Sequence, residues 1–193
     1  IDITATGSIK RRDVMTRSGA RPGDLVYVTG TIGAALAGLQ MLKSGAPDPD
    51  ADCVQHYLRP APRVRPGQLI ARNRAASACI DLSDGLADGV ARLAESGGVG
   101  ITVEAAALPI AQAARRWLEA HTSQAVDAAV SGGDDYELLL TVRPRRRGRL
   151  KAALLHGGVA FTQIGVCTAD RTVQLKAADG TLTALPHGFT HFR

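Results

Sequence analysis

Apolar positions along this chain change period several times, and each change marks an expected element. Ile1 to Ile9 alternates like a strand, and Leu25 to Thr29 reads as a short buried strand. Gly30-Thr31-Ile32-Gly33 then opens a small-residue helix that ends near Gly45. Cys53 to Leu58 and Gln68 to Asn73 are helix-like, with Pro60, Pro62 and Pro66 expected to interrupt them. Further on, strands are predicted at 77–82, 100–105, 136–142 and 160–167, with a hairpin near 172–177 and 181–185. Helices are predicted at 86–96, 110–120, 123–130 and 145–156. Strands and helices interleave without a strict βαβ rhythm, and consecutive strands close the chain. That favours an α/β fold of the layered α+β kind, a mixed sheet covered by helices. With no internal repeat and no linker-like stretch, residues 1–193 read as one domain.

Two junctions carry candidate chemistry. Ile80-Asp81-Leu82-Ser83-Asp84-Gly85-Leu86 places two carboxylates where a strand turns into a helix. Acids at a strand exit can face a cleft, and the amides of the following helix can hold an anion beside them. Divalent metal plus phosphate is the matching chemistry, since Mg²⁺ takes a few carboxylates and fills its other positions with water and phosphate oxygens. The plainer reading makes Ser83 or Asp84 a helix cap. Ser131-Gly132-Gly133-Asp134-Asp135-Tyr136-Glu137 is a second acidic turn at a strand border. Its glycines permit close backbone approach. Glu137 also fits a solvated strand position, and Asp135 fits a turn-capping role. Gly30-Thr31-Ile32-Gly33 follows a strand and opens a helix but lacks the lysine of a phosphate loop, so close packing of strand on helix is its expected purpose.

Bulk composition narrows the classes. The chain has 193 residues, 45% hydrophobic, with a net charge of +5. Much of that charge sits in Lys10-Arg11-Arg12 and from Arg143 to Lys151, a pattern that reads as a solvated helix face. With 4% aromatic residues there is no base-stacking platform, so a nucleic-acid partner is not expected. Cys53, Cys79 and Cys167 lack metal-ligand spacing and suit buried thiols in a reducing cytoplasm. No apolar stretch approaches the roughly 20 residues that span a bilayer. The five histidines show no triad or metal spacing. The chain opens on Ile1 rather than Met, as a piece of a longer polypeptide would.

Taken in order, six runs resemble thiamine-monophosphate kinase, a family of the aminoimidazole-ribonucleotide-synthetase-like superfamily. They are Thr16 to Asp24, Val26 to Gly33, Tyr57-Leu58-Arg59-Pro60-Ala61-Pro62-Arg63, Ile80 to Leu86, Ser131 to Leu138 and Gly188 to Phe192. The likeness is to that family's C-terminal half and covers essentially the whole chain. It implies ATP-dependent phosphorylation of thiamine monophosphate to thiamine diphosphate with Mg²⁺. It also implies that an N-terminal domain, bearing more metal and substrate contacts and the main homodimer contact, lies outside this chain. The isolated piece is then expected to be inactive.

By the same resemblance, Arg17 and Ser83 match ATP contacts, Asp81 and Asp84 match metal ligands, and Asp134 matches a substrate-binding glutamate. Pro186 stands where an aromatic often covers the substrate ring, leaving Phe189 and Phe192 as the rings nearby. No catalytic nucleophile is assigned, because the substrate's own phosphate oxygen attacks. The alternatives are another superfamily enzyme, such as selenophosphate or aminoimidazole ribonucleotide synthetase, or a non-catalytic nucleotide-binding module.

Overall fold

The computed structural model describes residues 4, 6–45 and 51–188. Seven strands form one sheet in the order β2-β4-β1-β5-β3-β6-β7. They are β1 (Leu25–Thr29), β2 (Ala78–Asp81), β3 (Gly100–Glu104), β4 (Leu138–Val142), β5 (Phe161–Thr168), β6 (Val173–Lys176) and β7 (Leu182–Ala184). Neighbours run antiparallel except β3 and β6, which pair parallel, so the sheet is mixed as the pattern implied. Among the described residues, seven α-helices connect them: α1 (Ala34–Lys43), α2 (Asp52–Leu58), α3 (Val64–Arg72), α4 (Leu86–Gly97), α5 (Gln112–His121), α6 (Ala125–Ser131) and α7 (Arg147–Gly157).

The period-2 alternation of each strand sorts its side chains onto two faces. On one face Val26, Val28, Leu139, Ile164, Ile101 and Val103 pack against Leu86, Val90 and Leu93 of α4. On the other, Tyr27, Cys79, Leu140 and Val142 meet Ile70 of α3 with Leu150 and Ala153 of α7. A smaller cluster of Ala34, Ala37, Cys53 and Ala114 ties α1, α2 and α5 together beside the sheet. The small residues of α1 let α2 approach closely: a Cβ on Gly38 would lie 2.0 Å from the carbonyl oxygen of Cys53.

Three expectations fail for physical reasons. Among the described residues, 6–9 form no strand and Ile9 is exposed; their alternation finds no ladder partner. Pro66 does not interrupt a helix but sits inside the first turn of α3, where its missing N–H would have had no intrahelical acceptor. β4 begins at Leu138 rather than at residue 136, because Asp134 (φ 66°) and Tyr136 (φ 50°) both adopt left-handed backbone. All three cysteines are free and buried, as expected of small apolar residues. Among the described residues, no helix is long and apolar enough to cross a membrane.

Candidate functional site

Strand order brings the two acidic turns together. β2 and β4 are antiparallel neighbours with Asp81 opposite Leu138, so the exit of β2 and the entry of β4 meet at one edge of the sheet. Backbone bonds continue the ladder through the turns: Leu82 donates to Glu137 O (2.8 Å), Tyr136 to Leu82 O (3.0 Å) and Asp134 to Ser83 O (2.8 Å). The glycines serve this junction. Gly85 has φ 93°, and a Cβ there would lie 2.5 Å from Gly132 O. A Cβ on Gly133 would lie 2.8 Å from Ser83 O. The close approach expected of Gly132-Gly133 is therefore made to the other turn. Gly85 also takes the N-cap position of α4, so the capping role considered for Ser83 or Asp84 falls to a residue with no side chain.

Two cavities flank this junction. The first, about 530 Å³, is lined by Arg17, Asp81, Ser83 and Asp84, together with Asp88 and Arg92. Arg17 reaches it because the loop before β1 lies beside β2, with Cys79 N donating to Thr16 O at 3.0 Å. Every residue the resemblance assigned to ATP or metal thus faces one space. Asp88 and Arg92 were not anticipated; they form an ion pair at 2.5 Å one turn apart on α4. The signal was available, since Asp84, Asp88 and Arg92 recur at the spacing of one helix face. Cys79 also lines this cavity, but burial, with Asp81 nearby, pushes its thiol up to about 12 and leaves it unreactive.

The second cavity, about 660 Å³, lies on the other side of Ser83 and Asp84. Asp134 borders it, with Lys43, Tyr57, Tyr136 and the apolar Leu36 and Leu39. Its character is more apolar, suited to a ring system. Burial, then the Asp134 carboxylate, raises the Tyr136 phenol above its ordinary value. Pro186 does not border this cavity; it packs beside α4 with Ala87, Ala91 and Leu185. Phe189 lies outside the described residues. Among the described residues, the rings lining this cavity with Asp134 are Tyr57 and Tyr136, about 80 residues apart in sequence, a pairing that no local spacing marks.

The remaining acids of the second turn point inward. Asp135 accepts from Gly33 N (2.8 Å) and Ala35 N (3.3 Å) at the start of α1. The anion place at that helix start is thus filled by the chain's own carboxylate, and the Gly30 to Gly33 loop is a packing device. Burial pushes Asp135 up to about 7 despite those two amides. Glu137 is 1% exposed and paired with Arg63, which overturns the solvated-strand reading.

For a metal, Asp81 and Asp84 supply hard oxygen donors beside space large enough for a phosphate chain. Among the described residues no group of three or more His, Cys, Asp or Glu side chains forms a closed metal cage. Such a donor set fits Mg²⁺, which keeps waters and phosphate oxygens in most of its positions.

Residues 21–177 match the model of the AIR synthase related protein, C-terminal domain. Thiamine-monophosphate kinase of Escherichia coli (strain K12) is 42% identical over 191 residues, 96% of this chain and 58% of that protein. The same enzyme of Halobacterium salinarum is 38% identical over 140 residues, 72% of this chain and 45% of its own. The chain therefore spans about half the length of the curated relatives it matches. Among solved structures, AaThiL complexed with AMPPCP and TMP superposes with a TM-score of 0.76 at 30% identity, covering 92% of this chain and 54% of that one. Thiamine-monophosphate kinase from Stenotrophomonas maltophilia K279a gives a TM-score of 0.76 at 29% identity, covering 91% and 56%. The hydrogenase maturation protein HypE of E. coli, at 20% identity and a TM-score of 0.71 over 93% and 55%, shares the fold alone. The resemblance read from the six motifs is borne out, and with the match spanning most of its length the chain belongs to the AIR synthase related protein, C-terminal domain family.

Proposed function

We propose that this chain is the C-terminal half of an ATP-dependent kinase that converts thiamine monophosphate to thiamine diphosphate. One observation carries the reading: Ser83 and Asp84 form a wall shared by two cavities. One of these holds arginine and carboxylates, and the other is more apolar, with Asp134 and Lys43 at its border. Transfer between two phosphate-bearing ligands needs such a junction, since donor and acceptor must approach in line from opposite sides.

Arg17 offers a guanidinium fork to the ATP phosphates, and Ser83 a hydroxyl. Asp81 and Asp84 would hold Mg²⁺, which would supply charge neutralisation to the phosphates. Asp134 faces the acceptor, where it accepts a hydrogen bond from the aminopyrimidine or balances the thiazolium. A terminal phosphate oxygen of thiamine monophosphate attacks the γ-phosphorus of ATP. The bond from that phosphorus to the bridging oxygen breaks, and ADP leaves with the electron pair. The attacking oxygen is already anionic at neutral pH, so no strong general base is needed. This agrees with a site built from carboxylates, a guanidinium and a hydroxyl.

The structural likeness to AaThiL, solved with AMPPCP and TMP, and the kinase relatives support the same reading. In it, residues 1–193 act as one domain of a longer cytoplasmic protein, Phe189 contributes to the acceptor side, and dimerisation runs through the part outside this chain. Nucleic acid and membrane play no part. The chain alone is expected to show no turnover, because only part of the phosphate clamp lies within it. The test is an assay of the full-length protein with ATP and thiamine monophosphate, detecting thiamine diphosphate. Formation of that product supports the reading; ATP hydrolysis without it, or no reaction, sinks it.

A further inference from the structure

Three motifs remain without a role in that mechanism: Arg63 at the end of Arg59-Pro60-Ala61-Pro62-Arg63, the Thr29-Gly30 step after β1, and Glu137. The fold brings them to one point. The Arg63 guanidinium grips Glu137 with two prongs, Nε to Oε2 at 2.6 Å and Nη2 to Oε1. The Thr29 hydroxyl donates to the same Oε2 (2.5 Å) and accepts from Leu138 N (2.8 Å), closing a small ring of bonds. Glu137 is 1% and Arg63 20% exposed, so the charges are largely out of water. A Cβ on Gly30 would lie 2.0 Å from Glu137 Oε1, so the backbone there makes room for the carboxylate.

Such a pair is a weak source of stability, because desolvating two charges offsets most of their attraction. Its position is more telling. Arg63 sits at the start of α3, six residues after Tyr57 on α2. Glu137 directly follows Tyr136 and the left-handed turn that carries Asp134. Left-handed backbone at a tyrosine persists only where its surroundings hold it. The ion pair therefore joins the segment bearing one aromatic wall of the 660 Å³ cavity to the segment bearing the other, with Asp134 between.

We infer that Arg63 and Glu137 are positioning residues for the acceptor side of the site: their ion pair sets the spacing of Tyr57 and Tyr136 and the placement of Asp134, and so the fit of an aromatic, cationic phosphate ester. This rests on the kinase reading above and adds which residues tune acceptor recognition. The ATP-side residues Arg17 and Asp81 sit on the loop beside β2 and on β2 itself, so the inference places the effect of the pair on the acceptor side.

The test is steady-state kinetics of the full-length protein carrying Arg63→Met with Glu137→Met. Both charges are removed together, so no unpaired charge is left buried and folding is retained. KM for thiamine monophosphate should rise on the order of tenfold, with KM for ATP within about twofold and kcat at saturation little changed. Arg63→Lys, which keeps the charge but loses the two-pronged grip, should fall between wild type and the double variant. It decides the question in the same way if a thermal melt shows the double variant unfolded. An unchanged acceptor KM in a folded variant overturns the inference, as do equal rises for acceptor and ATP. A full-length wild type without kinase activity overturns the functional reading, and this inference with it. An active wild type with unaffected variants overturns this inference alone.

Discussion

The two acidic turns look alike in composition and differ in use. At the exit of β2, Asp81 is exposed, Asp84 half-buried, and both face the 530 Å³ cavity. At the entry of β4, only Asp134 is turned outward; Asp135 holds the start of α1, and Glu137 holds Arg63 and Thr29. Asp81, exposed and facing a cavity beside Arg17, is placed to meet a ligand or cation. A carboxylate whose oxygens already accept protein donors is a structural part. The difference teaches that acid density in a turn says little until each oxygen's partner is known.

Substitutions should separate the two turns. The largest effect is expected for Glu137→Gln, which strands the Arg63 guanidinium without its counter-charge. Unfolding free energy should fall by about 3 kcal/mol, read from urea denaturation. If Asp81→Asn lowers stability as much, the distinction between the turns is lost. Asp84→Asn in the full-length protein should do the reverse, cutting kcat on the order of a hundredfold while stability moves by less than about 1 kcal/mol. A variant with lowered melting temperature and unaltered turnover at saturating Mg²⁺ would place Asp84 among the structural acids.

Asp134 tests the one outward acid of the second turn. Asp134→Ala should raise KM for thiamine monophosphate about tenfold to a hundredfold, as loss of a charged hydrogen bond worth about 1.5–3 kcal/mol requires. Asp134→Glu should hold or improve it. An alanine variant with wild-type KM at saturating ATP would reduce Asp134 to turn chemistry.

The most gradual effect belongs to Asp135, whose carboxyl is pushed up from the ordinary carboxylate range to about 7, chiefly by burial. The native state then keeps this proton to higher pH than the unfolded chain does. Its contribution is complete below about pH 4 and is lost as pH rises through about 7, with a slope of at most about 1.4 kcal/mol per pH unit. Asp135→Asn removes that titration, so the stability difference between wild type and variant should decline across this window. A flat difference would show the charged form is fully stabilised by the Gly33 and Ala35 amides.

Local patterning made much of the fold legible. Leu25–Thr29 emerged at the expected bounds, and α4 began at Leu86, where the turn chemistry of Ser83 to Gly85 hands over to helical period. The residues facing the first cavity were also readable, because Asp81, Ser83 and Asp84 lie in one short run whose strand and helix are locally encoded. The boundary of β4 was not readable. It lies where long-range bonds with Ser83, Leu82, Gly33, Thr29 and Arg63 hold Asp134 to Glu137 in a turn that no local pattern marks.

What the order of residues determined is the set of elements, their apolar faces and the kind of chemistry at the strand exits, since these depend on neighbours a few positions away. Tertiary structure decided which acids face a ligand and which are internal. It placed β2 beside β4 and so fused two turns about 50 residues apart into one junction. It also brought Tyr57 and Tyr136 to one cavity and left Pro186 beside α4, so that among the described residues the rings of the second cavity come from two distant segments. The physical reason is that a carboxylate's role depends on which donors reach its oxygens, and those donors come from segments that only the folded sheet brings near.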